Sequence, residues 1–75
     1  TLQYFLGVAY LAENNTKKAI PYLNKTVNNS KSMFFEDATF YLGLAYLKED
    51  NVMKAKETLA KSKSEKNKTV LDALK

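Results

Sequence analysis

Tyr41-Leu42-Gly43-Leu44-Ala45-Tyr46-Leu47 is the stretch that decides the fold, because the chain carries the same pattern earlier as Phe5-Leu6-Gly7-Val8-Ala9-Tyr10-Leu11. The two copies lie 36 residues apart, and the offset holds well outside them. Glu13-Asn14-Asn15 returns as Glu49-Asp50-Asn51, Lys18-Ala19 as Lys54-Ala55, Leu23 as Leu59 and Lys25 as Lys61. A fixed period of this size, kept without a gap, is the mark of a stacked array of helical units.

The apolar spacing gives each unit two helices. Over 1–13 apolar residues fall on nearly every side, which predicts a helix buried on more than one face. Over 16–28 they narrow to Ala19, Ile20, Leu23 and Val27, a one-sided stripe at helical spacing. Between the two, Asn14 suits the left-handed conformation of a helix end, and Asn15 or Thr16 suits the start of the next helix. Pro21 sits about one turn into the second helix, where it removes one backbone hydrogen bond.

The same reading sets a third helix over 33–49, started by Ser32 with Glu36 and Asp37 behind it. A fourth spans 51–63 with Val52, Ala55 and Leu59 inward, and a short fifth spans 68–75. Val70 and Leu71 fall on Phe34 and Phe35 in the 36-residue frame, so the fifth helix is expected to open or cap a third unit. The divisions expected are 1–28, 29–64 and 65–75. The chain opens inside a unit, so further sequence is expected upstream of Thr1.

At 75 residues the chain is one small domain at most, and its core supports itself by a narrow margin. There is no Cys and no His, and no Gly-rich phosphate loop. That leaves almost no material for nucleophilic, acid-base or metal chemistry, and neither an enzyme nor a cofactor is expected. The pairs Glu36-Asp37 and Glu49-Asp50 lie at helix ends, where capping and dipole effects account for them. Four Asn-x-Ser/Thr triplets, at Asn14, Asn24, Asn28 and Asn67, are read as products of an Asn-rich chain.

The net charge is +4, and every basic residue is Lys. Without the bidentate fork of Arg, base and phosphate recognition is disfavoured, so nucleic acid is an unlikely partner. The lysine run at Lys61, Lys63, Lys66 and Lys68 is read first as a solvated surface, with Lys61 and Lys63 complementing a helix C-terminus. No apolar run is long enough to span a bilayer.

Leu6, Gly7, Tyr10, Ala19 and Leu23, repeated as Leu42, Gly43, Tyr46, Ala55 and Leu59, resemble the tetratricopeptide repeat. The resemblance departs at the family's Trp place, held here by Gln3 and Thr39, at its terminal Pro, held by Lys31, and in a period longer than the usual ~34 residues. Another two-helix repeat, such as a Sel1-like unit, and a plain helical bundle remain alternatives, the latter opposed by the periodicity. The resemblance implies an all-α fold of antiparallel helix hairpins stacked as a short right-handed solenoid.

It also implies a non-catalytic scaffold whose first helices line a concave groove for a peptide or partner helix. Carried onto this sequence, that face comprises Tyr4, Phe5, Val8, Leu11 and Ala12, then Asp37, Phe40, Tyr41, Leu44, Leu47 and Lys48. Val8 and Leu44 occupy places where clamp-type members need Asn, so a carboxylate clamp is not expected. The partner expected is a protein or peptide, or another copy of this chain meeting the same face.

Overall fold

The computed structural model describes residues 1–74, and among them the chain is all helical: α1 (Leu2–Ala12), α2 (Thr16–Val27), α3 (Phe35–Lys48), α4 (Val52–Leu59) and α5 (Glu65–Ala73). Each helix packs on the next, and α3 also touches α1 and α5. The first two hairpins are therefore stacked neighbours.

The turn inside each hairpin is built twice from the same bonds. Asn14 and Asp50 both take positive φ, at 64° and 60°. In the first copy Asn15 N–H donates to the Tyr10 carbonyl at 2.8 Å and Asn14 N–H to that of Leu11 at 2.9 Å. In the second, Asn51 donates to Tyr46 at 2.8 Å and Asp50 to Leu47 at 3.0 Å. This paired pattern satisfies carbonyls that a helix end leaves open. The side chains of Asn15 and Asn51 then cap the following helices, accepting from Lys18 N–H and Lys54 N–H.

Between the helices of a hairpin, a small residue lets two backbones meet. A Cβ at Gly7 would lie 2.7 Å from Leu23 Cγ, and one at Gly43 would lie 2.6 Å from Leu59 Cγ, so both sites exclude a side chain. Leu23 and Leu59 are fully buried, as are Ala19 and Ala55 beside them. Tyr4, Ala19, Leu23, Val27, Ala38 and Leu42 form one core cluster across both hairpins.

Polar bonds tie one hairpin to the other. Thr16 Oγ1 donates to Glu49 Oε2 at 2.7 Å, Lys48 Nζ to Asn14 Oδ1 at 2.8 Å, and Asn24 Nδ2 to the Tyr46 hydroxyl at 3.3 Å.

Several expectations need correcting. The first helix buries only Tyr4 and Gly7, with Leu2 71% and Phe5 58% exposed. In the second unit the matching positions of Leu2 and Ala9 are Ala38 and Ala45, both fully buried. The sequence of α3 is the less apolar of the two, with Glu36, Asp37 and Lys48 in it, but α3 has a helical neighbour on more sides than α1.

The third helix starts at Phe35 rather than 33, because Ser32 closes a local turn instead of capping. Its Oγ accepts from Phe34 N–H at 3.1 Å and its carbonyl from Phe35 N–H at 3.0 Å. The fourth helix stops at Leu59 rather than 63, and Val52 is 44% exposed rather than inward. Thr16, its counterpart, is covered by its bond to Glu49, while Val52 has no such neighbour in α5.

The fifth helix starts at Glu65 rather than 68, because Ser64 is its N-cap and Glu65 places an acid in its first turn. Lys75, the last residue of the expected helix, lies outside the described residues.

One buried residue fixes where α4 ends and α5 sits. Asn67 is fully buried, and its amide donates to the Leu59 carbonyl at 3.0 Å and to Thr39 Oγ1 at 2.9 Å. Its Oδ1 accepts from Ser64 Oγ at 3.1 Å, while Thr39 Oγ1 donates in turn to the Glu36 carbonyl at 2.6 Å. Every polar atom of the Asn67 side chain is used, which makes a buried amide tolerable. That burial also leaves no room for a glycan on Asn67 in the folded chain.

Candidate protein-binding face

The aromatic residues that the sequence assigned to the groove converge where α1 meets α3 and the segment just before it. Tyr4 stacks on Phe34 with ring centroids 4.5 Å apart and planes at 8°. Phe5 meets Tyr4 edge-on at 5.5 Å and Phe34 at 5.3 Å. Tyr41 lies 6.4 Å from Tyr4, and Phe40 meets Tyr41 edge-on at 5.6 Å. Five rings therefore run continuously from α1 to α3, in the offset and edge contacts that aromatic pairs favour.

The sequence-assigned residues are not equally available. Tyr4 is buried and belongs to the core, and Phe5 is exposed at the outer edge of α1. Val8, Leu11, Phe40, Tyr41, Leu44 and Leu47 are all half-buried, with Val8, Leu11 and Tyr41 packed against the core cluster. Ala12 is exposed. Lys48 is engaged with Asn14.

Asp37 is half-buried and paired with Lys66 of α5, whose ammonium also lies 5.1 Å from the centre of the Phe40 ring. One end of the face is thus covered by a cation from the next helix. Phe34 and Lys66 were missed in the sequence. Phe34 could have been found as a bulky residue just ahead of the third helix, whereas nothing local points Lys66 toward Asp37, 29 residues away.

Burial raises the pKa of Tyr4 above its usual 10.0, helped by the nearby Asp37 carboxylate and then by Tyr41. A raised folded value means that its contribution to stability is full below the unfolded pKa and falls as pH climbs through the folded one. Tyr4→Phe is therefore expected to flatten the alkaline fall in stability, read as urea midpoints from pH 8 to 11. An unchanged slope would show that Tyr4 does not report on this cluster.

Comparison with known families bears directly on this hairpin: residues 37–65 match the tetratricopeptide repeat model. Residues 37–65 are a tetratricopeptide repeat by this match. The matched span takes in nearly all of α3, the whole of α4 and the first residue of α5. The first hairpin repeats its Leu-Gly, Tyr, Ala and Leu positions, its two-bond turn and its Asn cap. Tetratricopeptide repeats mediate contacts between proteins and are typically non-catalytic modules. No curated protein and no solved structure matches the chain. Among the described residues no helix is long and apolar enough to cross a membrane.

Proposed function

We propose that this tetratricopeptide-repeat chain is a scaffold that binds an apolar peptide or partner helix along the faces of α1 and α3. The observation that carries the reading is the row of half-buried apolar side chains, Val8 and Leu11 on α1 with Phe40, Leu44 and Leu47 on α3. Such residues are already held by the fold and keep part of their surface open, so a partner gains apolar contact at little cost in side-chain ordering. Residues 1–28 and 29–64 act as two repeats, and α5 opens or caps a third.

The test is a selection of displayed random peptides on the immobilised chain, repeated on a Phe40→Glu, Leu44→Glu double variant. Peptides with apolar anchors at helical spacing are expected to enrich, and to bind the double variant at least tenfold more weakly, the loss of about 2 kcal/mol typical of an interface anchor. Enrichment that ignores the double substitution would sink the reading.

Self-association is the second reading, favoured by the exposure of Leu2 and Phe5, large apolar residues side by side on α1. Light scattering over a concentration series separates the two. A dimer that dissociates in the double variant would identify the α1 and α3 face as a subunit interface, and a folded monomer would leave it open for a peptide.

A further inference from the structure

We propose that a second surface, the cleft beside α2, binds an acidic extended peptide segment. It is lined by Tyr10, Lys17, Lys18, Pro21, Tyr22 and Lys25 and has a volume of about 430 Å³. Tyr10 and Tyr22 stack with centroids 5.7 Å apart and planes at 18°, and the Lys18 ammonium lies 5.7 Å from the Tyr10 ring centre. The site lies apart from the apolar face of α1 and α3 and does not depend on it.

The charge of the chain is concentrated at this end. Residues 1–35 hold Lys17, Lys18, Lys25 and Lys31 against Glu13 alone, three of the four net positive charges, and α2 contains no acidic residue. Among the described residues the ion pair formed is Lys66 with Asp37, so none of the cleft lysines is neutralised in that way. The second repeat does not reproduce the cleft. Met53, Glu57 and Thr58 stand where the first repeat has Lys17, Pro21 and Tyr22. The second hairpin keeps Lys54, Lys61 and Tyr46 at the places of Lys18, Lys25 and Tyr10, but it forms without counterparts of Lys17, Pro21 and Tyr22, so the repeat fold does not require those three.

The geometry specifies the ligand. Lys17 and Lys25 are eight residues apart on one helix, about 12 Å along its axis. An extended peptide advances about 3.3 Å per residue, so acidic residues four apart project from one face at about 13 Å. The residue midway between them lands over Tyr22 and Pro21, where a flat or apolar side chain packs best. Pro21 has no N–H to return to the Lys17 carbonyl, so that oxygen lacks its usual helical donor. A concave cleft with three cations suits a single strand of peptide better than a flat bilayer, and it lacks the arginines that nucleic acid recognition favours.

Fluorescence anisotropy with a labelled peptide holding Glu-Ser-Tyr-Ser-Glu tests the proposal, alongside a reordered peptide, a labelled oligothymidine and vesicles containing phosphatidylserine. At low salt the ordered peptide is expected to bind saturably and more tightly than the reordered one. Lys17→Ala with Lys25→Ala should weaken it about fivefold to tenfold, the yield of two partly screened ion pairs. Lys61→Ala with Lys63→Ala removes the same charge elsewhere and should change it less than twofold, and the Phe40→Glu, Leu44→Glu variant should bind as the parent does.

Absence of saturable binding would overturn the proposal, as would equal losses in the two lysine pairs or equal binding of the two peptides. Binding of vesicles or oligothymidine that is tighter than the peptide's and lost with Lys17 and Lys25 would assign the cleft to that ligand instead.

Discussion

Leu59→Ala is expected to lower unfolding stability by about 2–5 kcal/mol, the range seen when a fully buried leucine is emptied to alanine. Leu59 has no exposed surface and is the residue that Gly43 is shaped to receive. In a domain this small a loss at the upper end exceeds what the core supplies, so a large fraction should be unfolded at 37 °C. Gly43→Ala is expected to destabilise as well, by about 1–3 kcal/mol. Alanine normally improves a helix interior by about 1 kcal/mol over glycine, but here its Cβ would stand 2.6 Å from both Leu59 Cγ and Cδ2.

The two changes should not add. With Leu59 cut to alanine the space for a Cβ at Gly43 is open, so in the double variant Gly43→Ala becomes neutral or stabilising. Urea melts of the four proteins measure the coupling. Strict additivity would mean that the glycine and leucine are not the contact that brings the two helices together.

Asn67→Ala is expected to cost about 2 kcal/mol, because it removes the shorter bond to the Leu59 carbonyl, leaving it the 3.4 Å bond from Ser62 N–H, and takes a partner from Thr39 Oγ1 and Ser64 Oγ. The effect should be uneven across the molecule. Thr39 Oγ1 keeps its bond to the Glu36 carbonyl, and the turns at Asn14 and Asp50 are untouched. α5 loses its only fully buried side chain. Amide exchange in α5 should therefore rise by more than in α1 to α3, and the Lys66 contact with Asp37 and Phe40 should weaken with it. Uniform acceleration throughout the chain would show that Asn67 supports the whole core rather than docking α5.

Much of the fold was legible because its determinants are local. The one-sided stripe of α2 and the double turn at Asn14-Asn15 and Asp50-Asn51 are specified by residues within a few positions of one another, and the Gly-Leu pairing by residues within one hairpin. The repeat then states each of them twice. The errors lie where distant residues decide. α4 is shorter than its spacing predicts because Asn67, eight residues beyond Leu59, takes the Leu59 carbonyl.

Thr39 reads in sequence as a departure from the family's Trp place, yet it is the buried hydroxyl that receives Asn67. The start of α5 was more accessible, since Ser64-Glu65 is a recognisable opening for a helix. The candidate face was legible as a set of positions on two helices. Which of its rings stay open was not, because the burial of Tyr4 depends on Phe34 stacking over it from the segment before α3.

The most direct measurement is an amide chemical-shift titration of the labelled chain with a peptide selected on the parent and not on the Phe40→Glu, Leu44→Glu variant. The proposed scaffold function requires the largest saturating shifts at Val8, Leu11, Phe40, Leu44 and Leu47, with Lys17 and Lys25 little affected. Shifts centred on α2 or on the outer surface of α4, with α1 and α3 silent, would contradict it.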